Sequence, residues 1–190
     1  MNPTDRPVIA VFGSSQSQPG DDEYQLGEEC GRLLAAAGFA VATGGYGGLM
    51  EAVCKGAATA GGPTVGITAP TVFPGRTGAN EWVQHEIPAD DLVHRIALLT
   101  EVASGYIALP GSIGTLAELV IAWNLAFVAP FADRTFGPIA TVGETWQELV
   151  PDLTERLNSN AETIVTCATA AEAVAHVARV LSNGAETSPA

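Results

Sequence analysis

Short apolar runs closed by glycine alternate along this chain with longer stretches whose apolar residues recur at helical spacing. Residues 8–12 end in Gly13-Ser14-Ser15 and lead through a polar loop to a helical pattern over about 21–37, stopped by Gly38. The unit returns as a strand over 39–42, the turn Thr43-Gly44-Gly45, a helix over about 48–60 and a strand over 64–67. A helix over about 91–103 precedes a strand over 105–109, which runs through Pro110-Gly111 into a helix over about 115–128. A strand over 138–142 leads to a helical stretch over 144–157, and the pattern expects an interruption at Pro151, where a backbone donor is lost. A strand over 163–167 and a helix over about 169–181 complete the series. Strands alternating with helices predict an α/β fold: one Rossmann-like doubly wound parallel sheet with helices on both faces.

No repeat or low-complexity linker divides the chain, so residues 7–182 read as one nucleotide-binding domain, with 1–6 and 183–190 as mobile tails. The longest loop is expected over 71–80, where Pro74, Gly75 and Gly78 cluster, and loops of that size tend to be functional.

Composition narrows the function. A hydrophobic fraction of 47% with 15% charged residues suits a globular domain, and no apolar run is read as reaching the roughly 20 residues that span a bilayer. No membrane partner is expected. The polar N-terminus lacks the pattern of a secretory signal, which points to a cytoplasmic protein. Eight basic against 21 acidic residues give a net charge of −13, which repels polyanions and argues against nucleic acid. A small anion can still be held by the free N–H groups of a helix N-terminus, because that attraction is short-ranged. Cys30, Cys54 and Cys167 are scattered, as are His85, His94 and His176; the cysteines read as buried thiols and no metal site is expected.

In a parallel sheet, ligands sit beyond the carboxyl ends of the strands. Three glycine-rich turns gather there: Gly13-Ser14-Ser15, Thr43-Gly44-Gly45-Tyr46-Gly47-Gly48, and Pro110-Gly111-Ser112-Ile113-Gly114-Thr115. Arg95, near the start of one helix, and Glu118, one turn into the next, are expected to converge at the same edge. Spacing alone favours a plainer role for Glu118, since Thr115-Leu116-Ala117-Glu118 fits a capping box, and Arg95 reads equally as a surface cation. Against this, residues 116–132 carry only two polar side chains, Glu118 and Asn124. Such a helix is buried in the core or in a subunit interface, and a carboxylate kept there needs a reason. The helix N-terminus is expected to keep Glu118 ionised. Trp123 and Trp146 read as packing, whereas Trp82, after the long loop, could cover a base. Glu51, Lys55 and Arg32 are expected on solvated helical faces.

The second and third turns carry a resemblance. Residues 43–50, Thr-Gly-Gly-Tyr-Gly-Gly-Leu-Met, are similar to a GGGxxGLM motif, and residues 110–118 resemble PGGxGTxxE, the paired motifs of the LOG ("Lonely guy") family of cytokinin-activating phosphoribohydrolases. The likeness covers residues 8–142 and extends to His94-Arg95-Ile96. It implies hydrolysis of the N-glycosidic bond of a nucleoside 5′-monophosphate, a cytokinin ribotide or AMP-like molecule, to free base and ribose 5-phosphate. It also implies catalysis by Arg95 and Glu118 without a cofactor and a homodimer with the 115–128 helix at its interface. Gly13, Ser14, Gly44, Gly45, Gly111, Ser112, Ile113, Gly114, Thr115 and Asn124 would line the substrate and phosphate site. Members were once labelled lysine decarboxylases, but a pyridoxal-phosphate enzyme needs a Schiff-base lysine, and the one lysine here, Lys55, lies mid-helix past the glycines. Ser112 stands at the motif's second glycine, Ile96 where the family has lysine, and Asn124 where plant members have threonine. The same motifs are similar to those of molybdenum-cofactor carriers, which bind a phosphorylated pterin without cleaving it.

Overall fold

Seven short strands, β1 (Val8–Phe12), β2 (Ala40–Thr43), β3 (Thr64–Thr68), β4 (His85–Pro88), β5 (Gly105–Ala108), β6 (Ile139–Val142) and β7 (Ile164–Cys167), are all parallel and lie in the order β4-β3-β2-β1-β5-β6-β7. The computed structural model describes residues 4–76, 78–132, 134–159 and 162–186. Among the described residues, five helices connect the strands, α1 (Asp22–Ala36), α2 (Leu49–Thr59), α3 (Leu92–Val102), α4 (Ile113–Val128) and α5 (Glu144–Leu157), and a sixth, α6 (Ala170–Glu186), follows β7. The chain winds outward from β1 to β4, then returns to lay β5 against the other side of β1, pairing Ile9 with Gly105 and Phe12 with Ala108. That reversal opens a crevice between the turns after β1 and β5, the place where doubly wound sheets bind ligands.

Alternation along each strand sorts the core into two layers. Val8, Ala10, Phe12, Tyr106 and Ala108 face Leu99 of α3, Leu119 and Trp123 of α4, and Trp146 of α5. Ile9, Val11, Ile107 and Leu109 face Cys30 and Leu34 of α1, Val53 of α2, and Val177 of α6. Both faces being covered explains why these strands read as continuous apolar runs. Helices α1 and α2 meet at backbone distance: a Cβ on Gly31 would stand 2.0 Å from the Val53 carbonyl oxygen, and one on Gly56 1.9 Å from that of Glu28. Cys30, Cys54 and Cys167 are buried and free.

Five features differ from the sequence expectation. Strand β4 was not anticipated, because His85-Glu86-Ile87-Pro88 is largely exposed and pairs on one side only, with β3, so it carries no apolar run. Helix α5 passes through Pro151 without interruption: Pro151 and Gln147 are both exposed, so the carbonyl left without its donor faces solvent, while Trp146 and Val150 anchor the buried side. Helix α6 runs to Glu186, so 183–186 are helical rather than part of a tail, since extending a helix costs far less than nucleating one; residues 1–3 and 187–190 lie outside the described residues. Helix α4 begins at Ile113, two residues early. It continues into a 3₁₀ turn, Ala129–Ala132, making a 20-residue apolar stretch that by length and composition alone could span a bilayer. In the sequence Glu118 and Asn124 break the apolar string, so no run is expected to be that long, although the helix does not break. Leu119, Ala122 and Trp123 of this stretch pack on the sheet, while Val120, Ile121, Phe127, Val128 and Phe131 are exposed.

Candidate functional site

Backbone hydrogen bonds lace the three glycine-rich turns into one floor. Ser14 N–H donates to the Pro110 carbonyl at 3.1 Å, and Leu49 N–H donates to the Ser14 carbonyl at 2.8 Å. Gly48 makes this possible at φ 73°, since a Cβ there would meet the Ser14 oxygen at 2.5 Å. Ser14 is thus a joint between turns, with its N–H and carbonyl both engaged. In the second turn, Gly45 N–H donates to Thr43 Oγ1 at 3.1 Å, and the Asn80 side chain donates to the Gly45 and Tyr46 carbonyls.

The floor carries a cavity of about 200 Å³ lined by Gly13, Gly44, Met50, Phe73, Arg76, Leu92, Arg95, Ile96, Ser112, Gly114, Thr115 and Glu118, among others. One wall is the start of α4. Its N-cap, Ser112, makes no side-chain capping bond, and the N–H groups of Ile113, Gly114 and Thr115 have no acceptor among the described residues. The first free N–H groups of a helix attract anions. Open space surrounds the position of a Cβ on Gly114, whereas Thr115 folds back so closely that a Cβ on Gly111 would meet its Oγ1 at 2.1 Å. By contrast α3, beside it, closes its own N-terminus: Asp91 accepts from His94 N–H at 2.8 Å.

Arg95 is held from several sides. Its Nε donates to the Ile67 carbonyl at 2.8 Å, Nη2 approaches Met50 Sδ at 3.6 Å, and Nη1 lies 3.5 Å from Glu118 Oε1. Side-chain exposure is 8% for Arg95 and 12% for Glu118, so the pair is nearly dry. Cation and carboxylate meet although one belongs to α3 and the other to α4. The capping box does not form: with α4 starting at Ile113, Glu118 falls past the first turn and turns inward to Arg95. Burial then acts on the acid more strongly than the cation does. Glu118 is pushed up to about 7, with desolvation raising it and Arg95 pulling it back. The helix N-terminus therefore does not hold it fully ionised as expected, since that field fades beyond the first turn. Burial also lowers Arg95 from its ordinary value, against the pull of Glu118.

A second cation, Arg76, was missed by the sequence reading. Its guanidinium carbon lies 4.7 Å from the Tyr46 ring centre and 4.8 Å from that of Phe73, and the two rings meet edge to face at 5.6 Å. Tyr46 also lies under Arg95, at 5.8 Å. The signal was faint: one arginine in a Pro- and Gly-rich loop, with no carboxylate at helical spacing to explain it.

Other expected residues fall elsewhere. Ser14, Gly111 and Ser112 line a polar pocket beside the cavity, with Asp21 and Glu23, so Ser112 borders both. Gly45, at φ 76°, packs on Gly66 and supports the floor from behind. Ile113 is exposed and lines none of these pockets. Asn124 lies on the far part of α4, in a different cavity with Val120, Trp123 and Phe127. Trp82 is half-buried with its carbonyl accepting from Thr64, and it does not reach the Arg95 cavity, whose loop aromatic is Phe73. Lys55 pairs with Glu28 at 2.6 Å, on the surface of α1 and α2 and away from this cavity. Arg32 pairs with Glu29, and Glu51 accepts from the hydroxyl of buried Tyr24.

Residues 6–129 match the SLOG cluster4 family. Two relatives named cytokinin riboside 5′-monophosphate phosphoribohydrolase are each 33% identical: one from Rhodococcoides fascians over 123 residues, 61% of this chain and 60% of that one, and one from Mycobacterium tuberculosis over 118 residues, 62% of each. The chain thus spans about three-fifths of the length of these relatives. Among solved structures, the molybdenum cofactor binding protein of Rippkaea orientalis superimposes with a TM-score of 0.73 at 22% identity, covering 93% of this chain and 98% of that one, a likeness of fold.

Proposed function

We infer a function from the premise that this chain belongs to the SLOG cluster4 family, and we propose that it hydrolyses the N-glycosidic bond of a nucleoside 5′-monophosphate of the AMP or cytokinin-ribotide type. One observation carries the reading: a dry Arg95–Glu118 pair, 3.5 Å apart, shares a cavity with the uncapped N-terminus of α4. The phosphate docks on the free N–H groups of Gly114 and Thr115, with Ser112 beside it. Glu118 faces the anomeric carbon. As the C1′–N bond breaks, its electron pair leaves with the base, and positive charge develops on the sugar. Ionised Glu118 stabilises that charge and takes a proton from the attacking water as the C1′–O bond forms. A carboxyl group poised near 7 suits a base that must accept a proton and release it to the departing base in turn. Arg95, fixed by the Ile67 carbonyl and Met50, orients the carboxylate. The named phosphoribohydrolase relatives support this chemistry.

A second reading, a non-catalytic carrier of a phosphorylated pterin, is favoured by Ser112, whose side chain stands in the cavity where a glycine would allow closer approach. Incubation with AMP and isopentenyladenosine monophosphate, with ribose 5-phosphate as the product assayed, separates the two. Release by the wild type that falls in Glu118→Gln and Arg95→Ala supports the hydrolase; equal background from all three proteins leaves the carrier.

The exposed apolar residues of α4 fit a homodimer interface, in which Asn124 and the cavity lined by Trp123 and Phe127 lie between subunits. The reading requires no cofactor and places the reaction in the cytoplasm.

A further inference from the structure

Arg76 has a geometry that the Arg95–Glu118 pair does not explain. The chain holds 21 acidic residues against 8 basic, yet no carboxylate among the described residues pairs with Arg76, while Arg32, Lys55, Arg95 and Arg156 each have one. Its side-chain N–H groups have no acceptor among the described residues either. What holds it is aromatic: Tyr46 and Phe73 lie under the guanidinium at 4.7 and 4.8 Å. Those rings are themselves fixed. The Tyr46 hydroxyl accepts from Ala69 N–H at 2.8 Å, Asn80 ties the other end of the loop to Gly45 and Tyr46, and Arg76 N–H donates to the Phe73 carbonyl. With both rings gathered on one side of it, the guanidinium keeps its edge to offer, a fork of N–H donors matched to phosphate oxygens. It lines the same cavity as the α4 N-terminus, and its charge is felt at Arg95. Arg95 itself is committed to Ile67 and Glu118.

We propose that Arg76 is the phosphate-reading residue of this pocket, closing on the ligand phosphate from the loop opposite the N-terminus of α4. The inference rests on the reading of the cavity as a nucleoside-monophosphate site and names the side chain that makes it choose the phosphorylated ligand.

Calorimetric titration of wild type, Arg76→Gln and Arg76→Lys with AMP, adenosine and inorganic phosphate tests it, with thermal melts confirming that each variant folds. Arg76→Gln is expected to weaken AMP and inorganic phosphate at least tenfold and to leave adenosine unchanged, with Arg76→Lys in between. Equal weakening of AMP and adenosine would assign Arg76 to the base and overturn the inference, as would unchanged affinity for AMP. A wild type that binds inorganic phosphate but not AMP sinks the nucleotide reading alone, and the phosphate titrations still decide Arg76. Should the wild type bind none of the three, both fall.

Discussion

The guanidinium of Arg95 occupies the space that a side chain on Gly44 would need: Nη2 lies 1.4 Å from where a Cβ on Gly44 would sit. The glycine of the second turn therefore leaves room for a cation from α3, and only past it can Arg95 reach Glu118. Replacing Gly44 with alanine forces the guanidinium out of its slot against Ile67 and Met50. Gly44→Ala is expected to lose ribose 5-phosphate release by at least 100-fold and to destabilise the fold by about 1–3 kcal/mol through overpacking. Steady-state rates and urea melts check both parts, and an active Gly44→Ala enzyme would count against Arg95 as the orienting group.

Stability should depend on pH through Glu118. Its folded value of about 7 lies above the ordinary 4.5, so between these pH values the folded state binds the extra proton. The contribution is fully present below 4.5 and is lost as pH rises through 7, a fall on the order of 3 kcal/mol. In Glu118→Gln that component disappears. Urea midpoints at pH 4.5 and 7.5 for the two proteins measure the difference, and parallel pH slopes would mean that the carboxyl group is not protonated in the fold.

Val120, Ile121, Phe127, Val128 and Phe131 expose apolar surface along α4 and the turn after it, with Phe131 83% exposed. Phe127 and Phe131 pack edge to face at 6.2 Å. A double substitution, Phe127→Asp with Phe131→Asp, should convert the proposed dimer to monomer while leaving the melting temperature of the isolated fold nearly unchanged. Light scattering at micromolar concentration reads the mass; a wild type that is already monomeric rejects the interface.

Gly31 and Gly56 let α1 and α2 touch backbone to backbone, and neither lines the cavity. Gly31→Ala would set a methyl carbon 2.0 Å from the Val53 carbonyl oxygen, so the helices must separate. An expected loss of about 1–3 kcal/mol, read from denaturant melts, should come without a change in AMP affinity. Calorimetry that showed both changing would tie the α1–α2 contact to the site.

Much of this architecture was readable in the chain because parallel strands covered on both faces leave unbroken apolar runs, and glycine turns punctuate them. The runs at Val8–Phe12 and Gly105–Ala108 needed no tertiary information. His85–Pro88 did, since an edge strand paired on one side keeps polar residues that look like loop. Pro151 misled for a related reason: local chemistry opposes a helix there, but Trp146 and Val150 buried on the other side outweigh it. At the site, the position of Arg95 and Glu118 at one sheet edge followed from chain direction alone, while the capping-box pattern of Thr115 and Glu118 pointed to the wrong partner. The helix start decides that choice, and it lies two residues upstream of the pattern.

By itself, then, the sequence determined the succession of strands and helices apart from β4, the three glycine turns and the helices that carry Arg95 and Glu118, because these depend on local periodicity and chain direction. Tertiary structure alone decided that Glu118 faces Arg95 rather than its own backbone, that burial holds its carboxyl group near 7, and that Arg76 joins the same cavity on Tyr46 and Phe73. Those outcomes depend on desolvation and on groups brought together from α3, α4 and a loop, quantities that exist only once the chain has closed around them.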